Sequence, residues 1–414
     1  MRDDFRRLFA DSMDTVHLSR EAKERLIASL AKQAAYDQGA YDQGKAETGM
    51  ENQGKRKAFR RAMVLALAAV LLIGTLSAGA AYWVSRSRGL EAELHMTEEQ
   101  RRQAEESGLS ASPDSVQAAG EITSATDNGI TITAEQTIVD NYFAMLSFRV
   151  DGYDVPEGQY PDIGDIRIIL NGISASWSGG FYDGIVSENG RAAYYEDGSP
   201  LEYTPEGGIR YRYAAADGSL RYHVMLMGDP NPMEREAEGV IAGSLIGKEI
   251  EIRFTGIGTG DKAEYFPDRD GTWNLRWTLT GSDAVRTVFP NRAIGDSGAV
   301  LAEAEISPIS LRAVYRISPE MESARIAAVD DDDVIPRLLG VRMKDGTLYP
   351  YLYMGPGSSG GDPEQGTYET RFAVDRILDT KNVDALLFLK SYPEEEETLA
   401  EENLYVVPLG ETGA

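Results

Sequence analysis

Few residues of this 414-residue chain have the types and spacing that catalysis or metal binding requires. The three histidines, His17, His95 and His223, fall in three different segments, so the sequence groups no pair of imidazoles. His223 is the candidate for a Ser-His-Asp arrangement, but no nucleophile-elbow motif accompanies it, and the strand-like run RYHVMLM around it favours a structural role. The absence of cysteine excludes disulfides, thiolate chemistry and cysteine-ligated zinc. We therefore expect no enzymatic activity, no cofactor and no metal centre.

Two acidic runs are the remaining candidates for ion binding. Asp330–Asp333 offers the oxygen ligands that calcium prefers, but it lacks the alternation and the central glycine of an EF-hand loop. Calcium binding and a solvated loop both stay open for this run. Glu394–Glu397 is interpreted as a solvated acidic loop.

The elements that position these residues are arranged around one apolar run. Residues 62–84 are 23 residues without a charge, which is long enough for a helix to cross the hydrocarbon core of a bilayer. Five basic residues stand in the seven positions before the run and two follow it, which favours a cytoplasmic N-terminus. A signal peptide has a shorter apolar region, and a core helix has a polar face. The sequence therefore predicts a single transmembrane helix in the cell membrane, with the C-terminal domains extracytoplasmic.

Charge follows the same division. Residues 1–61 carry 13 Lys and Arg against 10 Asp and Glu, a net charge of +3. Because the whole chain has a net charge of −26, residues 62–414 have a net charge of −29. A surface this acidic repels nucleic acid, because phosphate binding needs clustered Lys and Arg. We expect the lipid bilayer and proteins as partners, and no nucleic acid; the outer ligand is not identifiable from the sequence.

The first 34 residues form two short amphipathic helices by their periodicity. Apolar side chains recur at spacings of three and four in each, and isolated helices of this length are marginal in water. Their apolar faces therefore need a partner, which is each other, the membrane surface or another protein. The residues expected to bind a partner are Phe5, Leu8, Phe9, Leu26, Ile27 and Leu30.

The outer region has period-two alternation in many short runs separated by turn signals, which predicts a mainly β fold of β-sandwiches. The clearest runs are Tyr142–Val150 and the hairpin-like Leu338–Met354, and Asp-Gly pairs at 217–218, 270–271 and 345–346 predict tight turns. The segment Gly129–Val150 resembles Gly298–Ile317, so we expect two related sandwiches in tandem, unless the similarity is chance.

These patterns predict a division of the chain into six segments. The helix predicted after Thr97 is polar all round and is interpreted as a stalk, and the glycine-rich stretch 256–260 as the link between sandwiches. The expected segments are cytoplasmic helices at 1–34, a flexible basic linker at 35–61, the transmembrane helix at 62–84, an extracytoplasmic stalk at 85–118, and β-sandwich domains at 119–257 and 258–414.

Three outer segments resemble a family of uncharacterised single-pass proteins from Gram-positive bacteria, domain of unknown function 4179. They are Gly129–Gly152, Gly271–Leu279 and Glu305–Ser318, and all three are structural strands. The resemblance implies tandem immunoglobulin-like domains outside the membrane. Val16–Leu30 resembles the short helix that opens many membrane-bound anti-sigma factors, which implies an extracytoplasmic-function sigma factor as partner. Because the chain lacks the cysteines with which many of those proteins bind zinc, bare helices must make that contact.

Two functions follow as hypotheses. The first is a membrane-anchored, anti-sigma-factor-like regulator whose outer domains sense a signal. The alternative is a cell-surface binding or structural module without a signalling role.

Overall fold

Antiparallel strands make up most of the described chain. The computed structural model describes residues 90–113, 120–205, 207–229, 241–260, 265–327, 334–362, 366–391 and 399–410. These ranges belong to one compact unit that spans residues 88–414. They form a mainly β fold with several antiparallel sheets, as the alternation predicted. No helix in these ranges has the length and apolar character of a membrane span, and residues 62–84 lie outside them.

Two sheets and a separate hairpin form the first part of the fold. The larger sheet has the strand order β1-β3-β4-β10-β11, with β2 on β3 and β7 on β10, and its partner has the order β13-β12-β5-β6. The hairpin is β8–β9. The strands are β1 (Ser110–Ala111), β2 (Ser124–Asp127), β3 (Ile130–Val139), β4 (Phe143–Asp151), β5 (Tyr160–Leu170), β6 (Ile173–Ser174), β7 (Trp177–Phe181), β8 (Ile185–Glu188), β9 (Arg191–Tyr195), β10 (Leu220–Asp229), β11 (Ile241–Ala242), β12 (Glu249–Gly260) and β13 (Tyr265–Thr278).

Two more sheets form the second part. One has the order β14-β16-β17-β21-β20 with β15 on β16, and the other has the order β19-β18-β22-β23. The strands are β14 (Arg286–Val288), β15 (Arg292–Ala293), β16 (Val300–Ile306), β17 (Ser310–Arg316), β18 (Leu338–Met343), β19 (Leu348–Tyr349), β20 (Tyr353–Asp362), β21 (Thr367–Val374), β22 (Val383–Leu389) and β23 (Leu404–Pro408). The described helices are α1 (Leu90–Glu93), α2 (Glu98–Glu106), α3 (Pro319–Ala327) and a 3-10 turn at Glu401–Asn403.

Each pair of sheets encloses its own hydrophobic core. In the first, Trp273 of β13 is fully buried, and its indole Nε1 donates a 2.9 Å hydrogen bond to the Ile130 carbonyl of the facing sheet. In the second, the rings of Tyr315 and Phe388 meet edge to face at 5.6 Å between centroids, again from facing sheets. We call these the first sheet pair and the second sheet pair. Both tryptophans of β13, Trp273 and Trp277, are buried in the first core.

The two segments of the expected internal repeat form equivalent hairpins. The pairs β3–β4 and β16–β17 each occupy the middle of the larger sheet of their sheet pair. Each carries one extra residue in its first strand, Glu135 and Ala302, four positions before that strand ends. The shared β-bulge and strand order indicate that the two sheet pairs repeat one architecture.

The boundary expected at 257/258 is wrong, because β12 continues through the glycine-rich stretch to Gly260. Strand β13 then pairs with β12 along its whole length and places Trp273, Leu275 and Trp277 in the first core. The first sheet pair therefore ends near Leu279, and the second begins with β14. The glycines permit a bulge in β12 rather than a link between domains.

Turn signals were partly correct. Gly218 and Gly346 adopt positive φ as the Asp-Gly pairs predicted, but Asp270-Gly271 lies inside β13 and makes no turn. Three of the hairpin turns are formed by Asn-Gly pairs, in which both residues have positive φ. These pairs lie at 128–129, 171–172 and 189–190.

The sheet pairs meet at the turns of the two repeated hairpins. Asp140, in the β3–β4 turn, is 2% exposed, and its Oδ1 accepts hydrogen bonds from the amides of Tyr142 at 2.8 Å and Phe143 at 2.7 Å. Its Oδ2 accepts from the hydroxyls of Ser307 and Ser310, the latter at 2.5 Å. Ser307 holds the equivalent place in the β16–β17 turn, where its Oγ accepts from the Ser310 amide at 2.9 Å. One carboxylate thus closes its own turn and binds the other.

Replacing Asp140 with alanine is expected to lower the free energy of unfolding by about 3 kcal/mol, because it removes four hydrogen bonds to a charged acceptor and leaves buried donors unpaired. Urea unfolding measures this loss. Asp154→Ala, at an exposed position beyond the other end of β4, is the control and is expected to change stability by less than about 0.5 kcal/mol. Equal effects of the two substitutions would show that the Asp140 contact does not join the sheet pairs.

Candidate functional site

The segment that follows the apolar run begins with two short helices that lie on the sheets. Only five residues separate Val84 from the start of α1. Thr97 caps α2 through a capping box with Gln100, and Gly108, at positive φ, follows the end of the helix. We call residues 90–111 the juxtamembrane segment, because the sequence predicts that the apolar run before it crosses a membrane.

This segment is packed rather than free, which corrects the interpretation of residues 85–118 as a stalk. Leu90 and Leu94 are 2% and 0% exposed, and α1 contacts β4 and β8. Burial of a leucine side chain stabilises a fold by roughly 2 kcal/mol. After α2, Ser110 and Ala111 form β1 and pair with β3, so the chain enters the first sheet at once. The stalk was predicted from the polar composition of α2, whereas the apolar residues that pack on the sheets lie on either side of that helix.

Polar contacts fix the juxtamembrane segment to both sheet pairs. Glu93 Oε2 lies 2.9 Å from His223 Nδ1 on β10, and His95 Nε2 lies 2.9 Å from the Ser187 carbonyl on β8. The side-chain amide of Gln100 donates a 3.1 Å hydrogen bond to the Ile377 carbonyl of the second sheet pair. The segment therefore bridges the two halves of the fold. His223 is a strand histidine with a structural partner, as its sequence context favoured.

A second acid on α1 is buried without a matched base. Glu91 is 9% exposed, and its Oε1 accepts a 3.3 Å hydrogen bond from the Gln136 amide. Burial raises the pKa of Glu91 to about 7, although the nearby positive charge of Arg101 opposes the rise. The carboxyl group therefore changes charge near neutral pH at the surface where the segment docks.

The contact between the juxtamembrane segment and the sheets, which we call the seam, consists of packing and hydrogen bonds. Its contacts are two apolar anchors, one acid–imidazole pair and one titrating acid, all on a segment of about 20 residues. Such a seam changes state when a ligand, a proton or a force alters the contacts of α1. Among the described residues, no three His, Asp or Glu side chains converge as a metal would require.

The sequence-predicted partner residues Phe5, Leu8, Phe9, Leu26, Ile27 and Leu30 lie outside the described residues, as does the Asp330–Asp333 run. Glu91, Glu93 and Asp140 are not among the residues that the sequence pattern singled out. Leu90, Leu94 and Met96 were a usable signal for α1, since an apolar side chain recurs every few residues there. Asp140 stands where Ser307 stands in the repeat, and both are turn-closing residue types.

Comparison with known proteins adds little. No protein-family model matches the chain, and no curated protein matches it. The crystal structure of a conserved domain protein from Bacillus anthracis aligns with 72% of this chain and 88% of that chain, at 16% identity and a TM-score of 0.34. A likeness of this size carries no argument about fold or function.

Glu91→Gln is expected to flatten the pH dependence of the docked segment. The folded-state pKa of Glu91 lies above its value in an unfolded chain, so the stability from this group is present below about pH 4.5 and is lost as pH rises through about 7. At pH 8 the glutamine variant should hold the segment more firmly than wild type, by up to about 3 kcal/mol. Hydrogen exchange of the α1 and α2 amides at pH 5.5 and 8 measures the difference.

The control is Glu106→Gln, which changes an exposed acid on α2. It should leave the pH dependence of wild type intact. If Glu91→Gln and Glu106→Gln give the same exchange profiles at both pH values, Glu91 does not titrate in the seam.

Proposed function

We propose that the chain is a single-pass membrane-anchored regulator, similar to an anti-sigma factor, whose outer region senses a signal and whose inner helices hold a cytosolic partner. The packed juxtamembrane segment carries the proposal. A module that only adheres to a surface needs no more than a flexible tether, whereas Leu90, Leu94 and Glu93 tie the chain next to the apolar run to the folded sheets. Docking of this kind gives the outer region a route to the membrane.

Transmission of a signal along this route requires that the docked and undocked states of the juxtamembrane segment differ in their contacts. A signal shifts the equilibrium between docked and undocked states only by as much as it binds them differently. The juxtamembrane segment touches both sheet pairs, at His223 and at Ile377, so a change in their arrangement alters its contacts. Undocking of α1 would then free the residues next to the membrane, for movement of the helix, for association or for cleavage.

On the inner side the proposal assigns partner binding to the two amphipathic helices of residues 1–34, through packing of one helix face in a groove of an extracytoplasmic-function sigma factor. No cofactor is required for such packing. We further propose that the two sheet pairs are immunoglobulin-like sandwiches, which the mainly antiparallel sheets around two separate cores support.

Membrane topology provides the first test. Protease added to intact cells should degrade the C-terminal region and spare an N-terminal epitope tag until the membrane is permeabilised. Replacing Leu71 and Leu72 with arginine should move the protein out of the membrane fraction, since each arginine near the centre of a span costs about 2.5–3.5 kcal/mol. Isoleucine at the same positions is the matched control. A C-terminal region that protease cannot reach from outside would contradict the proposal.

Partner capture provides the second test. Full-length protein solubilised from membranes should co-purify a sigma factor, and Leu26→Asp with Leu30→Asp should abolish the capture, because aspartate on the apolar face opposes burial. Ala28→Asp, on the opposite face of the same helix, is the control and should retain the partner. If no transcription factor is recovered and the double variant changes no transcript, the chain is a surface module without a signalling role.

A further inference from the structure

An open cavity of about 270 Å³ lies where the juxtamembrane segment, the first sheet pair and the second sheet pair come together. Helix α1 contributes Leu90 and Glu93 to its wall, β7 and β10 contribute the floor, and Met354 reaches it from β20. A molecule held there touches every part of the fold that meets at the seam. Junctions between packed parts of a chain are common places for small-ligand sites.

The body of the cavity is apolar and adaptable. Met145, Met225 and Met354 lie around it with Phe181 and Leu90. Methionine side chains are flexible and polarisable, so such a wall adjusts to the shape of an apolar or aromatic group. The site therefore suits an organic body more than a hydrated inorganic ion.

The polar groups of the cavity are mostly acidic. Glu93 and Asp183 both line it, as does His223 of β10, the hydrogen-bond partner of Glu93. None of the described lining residues is Lys or Arg. Asp183 is half-buried; burial and the nearby charge of Glu93 raise the pKa of Asp183, while His223 and the amide of Ile185 oppose the rise. Tyr182 stacks on His223 with 5.3 Å between ring centroids. Two carboxylates beside aromatic faces form an environment that a positive charge stabilises.

Glycine in β7 keeps the cavity open. A Cβ at Gly179 would lie 2.3 Å from the His223 carbonyl, so close pairing of β7 with β10 requires that glycine. A Cβ at Gly180 would meet no atom within 4 Å, and the backbone there has no positive φ. Neither packing nor conformation explains Gly180, which costs strand stability and leaves empty space.

We propose that this cavity binds a small organic cation, an ammonium group on an apolar body, with Glu93 and Asp183 as its counter-charges. Because the ligand would contact α1 directly, its binding stabilises the docked juxtamembrane segment. That it is the sensed signal rests on the proposed function; that it binds does not.

The test uses full-length protein in lipid nanodiscs with ¹³C-labelled methionine methyl groups. Phenethylammonium should shift the resonances of the three cavity methionines in a saturable manner, while 3-phenylpropionate, of similar size and opposite charge, binds at least about tenfold more weakly. Shifts that follow the apolar ring regardless of charge, or no saturable shift of these three resonances by phenethylammonium, would overturn the proposal.

Two kinds of variant make the assignment specific. Gly180→Leu fills the space and should weaken phenethylammonium binding at least about tenfold, whereas Gly208→Leu, at an exposed loop glycine with room for a side chain, should not. Asp183→Asn and Glu93→Gln should weaken binding of the cation and leave 3-phenylpropionate unaffected or bound better. Wild-type affinity in Gly180→Leu, or in both carboxylate variants, would overturn the proposal.

These outcomes are independent of the proposed function. Methionine shifts report the cavity whether or not a sigma factor co-purifies, and partner capture through residues 1–34 does not require the cavity to be occupied.

Discussion

One buried carboxylate, that of Asp140, accepts hydrogen bonds from a turn in each half of this fold. Asp140 accepts two amide hydrogen bonds from its own turn and two hydroxyl hydrogen bonds from Ser307 and Ser310 across the junction. Burial of a charge costs free energy unless hydrogen bonds compensate for it, so the four donors must stay in place together. Burial raises the pKa of Asp140 while those donors oppose the rise. The relative position of the sheet pairs is thereby tied to the geometry of two equivalent turns.

Further polar contacts surround Asp140 at the junction between the sheet pairs. Tyr142, Glu305 and Arg312 lie with Asp140 around one small cavity, and Arg312 pairs with Glu303 and Glu369 on adjacent strands. Arg371 of β21 lies 3.5 Å from the Gly228 carbonyl of β10. These contacts at the junction are hydrogen bonds and ion pairs rather than apolar packing. They fix the position of the two separate cores relative to each other. The juxtamembrane segment lies across this same arrangement, with contacts to both halves.

Much of the fold was legible in local sequence pattern. The run Tyr142–Val150 corresponds to β4, the hairpin-like Leu338–Met354 contains β18 and β19, and the repeat of Gly129–Val150 at Gly298–Ile317 forms two bulged hairpins. The failures have physical causes. Strand β12 passes through glycines because pairing with β5 and β13 on both sides stabilises a backbone that composition alone assigns to a linker. Helix α2 is polar and predicted a stalk by its own composition, whereas the apolar residues that anchor the segment, Leu90 and Leu94, precede it.

The sequence by itself determined most of the strands, two of the three turns predicted at Asp-Gly pairs, the absence of cysteine chemistry, and the separation of one apolar run from an acidic remainder. Alternation, turn conformation and charge depend on residues that are close together in the chain, so they can be predicted from the sequence. Only the tertiary structure decided that Glu93 meets His223 across 130 positions and that Asp140 meets Ser307 across 167. Such contacts depend on how sheets stack and which turns face each other, and no spacing along the chain encodes that.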